Sequence, residues 1–404
     1  MITGASVYLV SLETTRAFEH ARAGHRRAEN IFFRLRAGSA EGWGEAVPRP
    51  YVTGESPDSA FEAIASLDLD ELTDAVSFGA RTLNALWSID LPRMLGRGRR
   101  MPAAACAVEL ALLDVLSVQL DRPLPTLLAS LPIAAPERRD AAGPFPISRV
   151  IDLGMEVTEF IGAAAQTHHI KLKVGSDAGR DLARVRALRE HYGPAVPMSV
   201  DANMEWSLSE AISRADAYRP YHVAWYEEPL AKGAYGDYRI LRDRARVPVM
   251  LDESVTGLDD LGQALELGAC DAVNVRISKC GGLLPALKVI HAARARGLGF
   301  QIGVQVGEMG PLWAAGRHLV TLVERPLAYE AGQADRLFPF PVMSPPPYVD
   351  RRTYLGRPLP GLGFGMRPSP RFDDVVVRRA DWTKANGRWS RATHGDTRGS
   401  CAAR

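Results

Sequence analysis

From residue 143 to residue 330 the chain alternates short apolar, β-branched runs with longer amphipathic stretches. The runs fall at 143–148, 170–174, 197–201, 223–227, 247–252, 272–277, 299–305 and 327–330. The stretches between them, such as 181–191, 207–218, 259–267 and 284–295, repeat apolar residues at helical spacing. In the first of these Leu182, Val185 and Leu188 share a face. Eight strand–helix units in succession predict a closed (β/α)8 barrel, an α/β fold that occupies about 250 residues.

The chain before the barrel has a different pattern. Residues 5–10 and 30–36 read as strands, and Gly42-Trp-Gly-Glu45 continues an antiparallel meander after a turn. Helical patterns follow around 56–67, 78–87 and 102–120. The last begins with Pro102 and carries a wide apolar stripe from Ala105 to Leu120. This predicts an α+β capping domain over residues 1–135 and a barrel over 136–345. Two stretches of the capping domain, 13–27 and 48–55, read as loops forming a lid over the barrel mouth. The first holds Arg16, His20, Arg22, His25, Arg26 and Arg27, basic groups suited to a distal anion. Glu109 and Asp114 on the apolar helix read as surface or supporting groups, not catalysts. Pro345, Pro346 and Pro347 mark a linker. Residues 346–380 are expected to return to the capping domain and complete it, and the polar, basic 381–404 to be a mobile tail.

Composition narrows the function classes. A net charge of +2 on 404 residues, with arginines spread along the chain, argues against a nucleic-acid surface. No run of 18 apolar residues suggests a membrane span, and the first residues lack the apolar core of a signal peptide. Cys106, Cys270, Cys280 and Cys401 have neither zinc-ligand nor disulfide-framework spacing. Thiols of that kind fit a reducing cytoplasm.

The candidate chemistry lies at the strand ends. Lys173, Asp201, Glu227, Asp252 and Lys279 each close an apolar run, at intervals of 28, 26, 25 and 27 residues. Gln305 and Glu330 extend the series by 26 and 25. In a parallel barrel these ends meet on one face, the face that carries active sites. Asp201, Glu227 and Asp252 then form a set of oxygen ligands without His or Cys, suited to a hard cation such as Mg²⁺. Asn203 and Glu253 stand beside two of them and are expected to orient them. Glu228 adjoins Glu227, but neighbouring strand residues point to opposite faces, so Glu227 takes the inward role. Lys173 and Lys279 approach from opposite sides of the barrel. Lys171, two residues before Lys173, shares its face, and its charge is expected to lower the pKa of Lys173. A lysine so placed removes the α-proton of a metal-bound carboxylate. The second lysine returns it or stabilises the charge.

These motifs resemble the enolase superfamily, in particular its muconate lactonizing enzyme subgroup within the mandelate racemase–muconate lactonizing enzyme family. Gly42-Trp-Gly-Glu45 and Tyr51-Val-Thr-Gly-Glu55 resemble its capping domain. Lys171-Leu-Lys173, Asp201-Ala-Asn203, Glu227-Glu-Pro229, Asp252-Glu-Ser254 and Lys279-Cys-Gly-Gly282 resemble its catalytic and metal-ligand motifs. The resemblance covers nearly the whole chain. It implies Mg²⁺, a small carboxylate substrate, a lid from the capping domain and an oligomer of identical chains. It also implies cycloisomerase, racemase, epimerase or o-succinylbenzoate synthase chemistry. The chain departs from the pattern at its seventh strand, which has no His base, and near its eighth, which has no Asp-x-Asp. Ala328, Tyr329 and Glu330 stand there instead. Gln305, Glu308, Glu330 and Tyr51 are candidate substrate contacts. Against an isomerase stand an acid dehydratase and a barrel that binds a carboxylate without turnover. The lysine pair speaks against the latter. A metallohydrolase is excluded by the lack of an HxH motif and of any His cluster.

Overall fold

The computed structural model describes residues 1–20, 23–76, 82–131, 143–163, 166–330 and 334–391. A five-stranded antiparallel sheet runs in the order Arg388–Arg391, Val376–Thr383, Ile2–His20, Ala23–Ala37, Ala40–Ala46. Consecutive residues such as Val7 and Tyr8, or Phe32 and Phe33, are buried, so the middle of this sheet is covered on both faces. The last strand lies directly on the long helix Pro102–Gln119. A Cβ at Gly44 would stand 1.9 Å from the Ala107 carbonyl oxygen, and one at Gly42 2.4 Å from that of Ala111. Only glycine permits this approach, which accounts for the Gly-Trp-Gly spacing. That helix is long and apolar enough to cross a membrane, but it is buried inside the protein.

Three sequence expectations change here. Residues 13–27 are not a free loop: strands Ile2–His20 and Ala23–Ala37 pair as far as His20↔Ala23, with an irregularity between Glu13 and Phe18. Thr14, Thr15 and Phe18 favour strand, and the charged residues around them obscured the pattern. Arg27 pairs with Glu13 at 2.9 Å. The side chains of Arg16, His20, Arg22 and His25 lie outside the described residues. The tail expected from 381 is in part a hairpin, Val376–Thr383 with Arg388–Arg391, added to the sheet through Val7↔Ala380. Ala380 and Trp382 alternate inward beneath a polar surface that masked them. Residues 392–404 lie outside the described residues. Third, 143–148 is not the first barrel strand. Phe145–Pro146 pairs antiparallel with Leu355–Gly356, and the parallel strand is Arg149–Ile151. Pro146 has no N–H to give to an interior ladder.

The barrel strands follow in order: Arg149–Ile151, Ile170–Lys173, Met198–Asp201, Tyr226–Glu227, Val249–Leu251, Ala272–Val275 and Gly299–Ile302. Residues 327–330 complete the ring. Leu327 N donates to Phe300 O at 2.8 Å and Glu330 N to Ile302 O at 3.0 Å. Ser148 N donates to Tyr329 O at 2.7 Å, which brings the eighth strand to the start of the first. Between strands run helices such as Ala178–Tyr192, Leu208–Tyr218, Leu258–Glu266 and Leu283–Ala295. Asp177 and Ser207 cap two of them, each accepting the N–H three residues on.

Buried carboxylates of the capping domain hold the two domains together. Glu45 accepts N–H groups of Met309, Gly310 and Leu312 around the start of helix Pro311–Leu322, and the Asn30 amide at 2.7 Å. Glu109 accepts those of Leu283 and Leu284, at 2.6 and 3.1 Å, at the start of Leu283–Ala295. Asp114 joins Trp43 N to Phe364 N, both at 2.8 Å. Glu55 accepts Ala103 N and Ala104 N and caps the long helix itself. Each carboxylate satisfies backbone donors that a helix end or a loop leaves without partners. Glu109 and Asp114 are therefore buried, not surface groups: Glu109 ties the long helix to the barrel, and Asp114 ties it to Trp43 and to the C-terminal segment at Phe364.

Candidate active site

Alternation along each barrel strand decides what faces inward. Lys171 and Lys173, Ser199 and Asp201, and Asn274 and Arg276 are i, i+2 pairs of polar residues between apolar ones. Lys173 lies paired with Asp201, and Asp201 with Glu227, so these strand ends lie side by side. Lys279 is not on its strand. The sixth strand stops at Val275, and Lys279 belongs to the single helical turn Ile277–Cys280. From there its ammonium reaches back to Asp252 Oδ1 and the Asn274 carbonyl, both at 2.8 Å. Strands two and six stand half a ring apart, with the strands of the three acids between them. Lys173 lines the cavity at this face, while Lys279 is buried on Asp252 and outside that lining.

The network is dense and buried. Lys173 Nζ donates to Asp201 Oδ2 at 2.7 Å and to Asn203 Oδ1 at 2.6 Å. Lys171 Nζ lies 2.9 Å from Asp201, 2.8 Å from Glu227 and 2.6 Å from Glu330. Asn274 also donates to Glu227, at 2.7 Å. Glu228 points the other way: it accepts Asp252 N at 2.5 Å and the Tyr238 and Ser254 hydroxyls. Asp252 is further held by Arg276, at 2.6 Å, and Arg276 also reaches Glu253 at 3.2 Å and Gln305 at 3.1 Å. Asn203 donates to Glu253 at 3.3 Å.

Charge sets the protonation of these groups. Burial raises the Asp201 carboxyl, but Lys171 and Lys173 outweigh it and bring its pKa down to about 2. Burial likewise opposes ionisation of Asp252, and Arg276, Lys279 and Lys171 overcome it. Burial lowers Lys171, yet Asp201, Glu227, Glu330 and Asp252 hold its ammonium well above the ordinary lysine value. Glu308 differs: burial pushes its carboxyl well upward, and the hydrogen bond from Gln305 N at 2.7 Å and the charge of Arg276 do not offset it.

A cavity opens at this face. Its walls include Lys171, Lys173, Asp252, Arg276, Gln305, Glu308 and Glu330, with Tyr51 entering from the capping domain. Asp152 and Val150 from the first strand also line it, as do Arg336 and Leu337 beyond the eighth. Thr15 donates to the Arg336 carbonyl at 2.9 Å, so the long hairpin of the capping domain meets the barrel at this rim. Asn274, Arg276 and Gln301 escaped the sequence reading as site residues. The signal for the first two was a pair of polar inward positions in an apolar strand.

The acids are gathered but do not close round a point. Among the described residues no three His, Cys, Asp or Glu side chains form a cage for an ion. Asp201 and Glu227 converge on the Lys171 ammonium, while Asp252 turns to Lys279 and Arg276. The donor chemistry nonetheless suits a hard dication. All three donors are buried carboxylates, and Glu253 Oε2, Asn274 Oδ1 and Gln301 Oε1 are buried acceptors without a hydrogen-bond donor.

The enolase C-terminal domain-like family matches residues 156–369. The N-succinylamino acid racemase of an Amycolatopsis species is 27% identical over 94% of this chain and 99% of that protein. The N-succinyl-L-Arg/Lys racemase of Bacillus cereus is 26% identical, over 79% of this chain and 83% of its own. Among solved structures, muconate lactonizing enzyme from Pseudomonas fluorescens superposes with a TM-score of 0.78 at 23% identity, over 93% of this chain and 98% of that one. That likeness concerns the fold. The chain belongs to the enolase C-terminal domain-like family, within the enolase superfamily. It is an enzyme of the isomerase class, and its chemistry is the superfamily's abstraction of a proton.

Proposed function

We propose that this protein is a Mg²⁺-dependent racemase or epimerase of an amino-acid carboxylate whose nitrogen carries an acyl group. What supports this reading is the placement of two buried lysines, Lys173 on the second strand and Lys279 just beyond the sixth, with Asp201, Glu227 and Asp252 at the ends of the strands between them. Two bases facing one centre from opposite sides suit inversion. Cyclisation or elimination needs one base and an acid.

Asp201, Glu227 and Asp252 would hold the metal, with Asn203 and Glu253 steadying them. When bound, the ion supplies positive charge to the substrate carboxylate and so acidifies its α-carbon. Lys173 or Lys279, as the neutral amine, takes the α-proton from one face, and the opposite ammonium delivers a proton to the other. Arg276 and Lys279 fix Asp252, while Asn274 and Gln301 fix Glu227.

Glu330 bears on the substrate's nitrogen. Its Oε1 already accepts Lys171 and Gln301, and its Oε2 accepts Val304 N at 3.0 Å. An ammonium would find no idle carboxylate there, which favours an acylated nitrogen over the free amine of a dipeptide. Tyr51, Gln305 and Glu308 would contact the rest of the molecule. The buried thiols of Cys106, Cys270 and Cys280 suit a cytoplasmic setting. The second reading is cycloisomerisation, favoured by the fold shared with muconate lactonizing enzyme.

The test is solvent exchange. The protein with Mg²⁺ in D₂O would be offered N-succinyl and N-acetyl amino acids of both hands, dipeptides, muconates and hydroxy acids. Mass and chiral analysis would follow. Inversion with α-deuterium, lost in both Lys173→Ala and Lys279→Ala, is expected with the N-acylated substrates. A cyclised or dehydrated product needing one lysine would replace the proposal. Exchange with no substrate would refute it.

A further inference from the structure

Lys171 presents a conflict. Its ammonium makes ion pairs with Asp201 and Glu227 at 2.9 and 2.8 Å, and these are two of the three proposed metal ligands. A dication on the same oxygens would stand within a few ångströms of that ammonium, where like charges in a buried site repel strongly. On Asp201 and Glu227 the ammonium and a dication therefore compete. Lysine has a flexible four-carbon stem, so Lys171 can leave if another anion receives it.

Glu330 is that anion. Its contact with Lys171, 2.6 Å, is the shortest of the three. Its own position does not depend on Lys171. Val304 N holds Oε2 at 3.0 Å, and Gln301 Nε2 holds Oε1 at 3.2 Å. Gln301 also reaches Glu227 Oε2 at 3.3 Å, so one amide spans the acid that would keep the metal and the acid that would keep the lysine. Both Lys171 and Glu330 line the cavity, so the ammonium can move toward Glu330 without crossing packed core.

We propose that Glu330 is a positioning residue that draws Lys171 off Asp201 and Glu227, so that metal binding is not opposed by the protein's own ammonium. In the loaded enzyme it then holds Lys171 toward the substrate. The inference rests on the reading of Asp201, Glu227 and Asp252 as Mg²⁺ ligands. Without Glu330 the anions left around Lys171 among the described residues are the proposed metal ligands Asp201, Glu227 and Asp252, and the lysine becomes a competitor.

The experiment is a double-mutant cycle on Mg²⁺ affinity, read by titration calorimetry on the full chain without substrate. The proteins are wild type, Glu330→Gln, Lys171→Met, the double variant and Asp201→Asn, with folding checked by circular dichroism. Glu330→Gln should weaken Mg²⁺ binding roughly tenfold, as expected for neighbours coupled in one ion network. In the Lys171→Met background the same change should alter affinity by less than about twofold, because no ammonium is left to compete. Glu330→Asp, which keeps the charge, should recover most of the loss. An equal loss in both backgrounds would mean that Glu330 attracts the ion directly, and would overturn the proposal. Unchanged affinity in Glu330→Gln would overturn it as well, while loss of binding in Asp201→Asn would leave the metal site standing. If wild type binds no Mg²⁺, both readings fall.

Discussion

Gly282→Ala is expected to be among the costliest one-carbon changes in this chain, and its cost can be divided. Gly282 has φ +136°, a region that side chains rarely adopt. Forcing alanine there costs about 1–3 kcal/mol. The new Cβ would also stand 2.2 Å from Glu109 Oε2 and 2.4 Å from its Cδ. Glu109 cannot retreat cheaply, because it is buried and accepts Leu283 N and Leu284 N. Overpacking of this kind adds about 1–3 kcal/mol, giving roughly 2–6 kcal/mol in all. Glu109→Ala alone leaves Leu283 N and Leu284 N buried without an acceptor and should cost about 3 kcal/mol. In Gly282→Ala/Glu109→Ala the clash is gone, so the pair should cost about 2 kcal/mol less than the sum of the singles. Equilibrium urea unfolding followed by tryptophan fluorescence measures all four proteins. A cost below about 1 kcal/mol for Gly282→Ala, or additivity within about 0.5 kcal/mol, would refute the reasoning. Activity should fall too, since Lys279 lies three residues upstream on the turn that this contact secures.

Other expectations follow from the same coordinates. Burial raises Asp114 to about 6, Glu45 to about 7 and Glu109 to about 8. An acid raised by folding stabilises fully below its unfolded value near 4 and loses that contribution as pH climbs through its folded value. Urea midpoints should therefore fall between about pH 5 and pH 8, and less steeply in Glu109→Gln. Lys173→Met and Lys279→Met should each lower turnover by about 10²–10⁴-fold while the far-ultraviolet spectrum stays native; activity retained in either would remove that lysine from the chemistry. Chelation should abolish turnover and Mg²⁺ restore it. Thermal scans should show added stability of about 2.7 kcal/mol at a hundred times the dissociation constant, and an unmoved transition would speak against the metal.

The barrel and its acid series were legible because strand ends in a parallel barrel recur at a fixed chain interval. That interval survives small errors in the strands themselves. Residues 143–148 were misassigned as the first strand, and Lys279 left its strand for a helical turn, yet neither shift moved a strand-end group to another face. What the interval cannot show is how one anchor reaches another. Arg276 to Asp252 and Gln301 to Glu227 are contacts between strands, set by the curvature of the ring and not by any local pattern.

The domain contact was hidden for a different reason. Glu45, Glu55, Glu109 and Asp114 are all acids in apolar surroundings, and on sequence such an acid looks like an error or a surface group. Their partners are backbone N–H groups, which carry no residue identity and leave no mark in a sequence. Three of these carboxylates meet helix starts, where donors without partners and the helix dipole both favour a negative charge. Two of those helices belong to the barrel and begin just beyond its catalytic face: Leu283–Ala295 after Lys279, and Pro311–Leu322 after Gln305 and Glu308. The capping domain thus grips the barrel through the backbone next to its candidate chemistry. A displaced cap would unseat Lys279 and the cavity wall together, which is a physical reason for buried carboxyl groups bonded to backbone at this contact instead of a plain apolar interface.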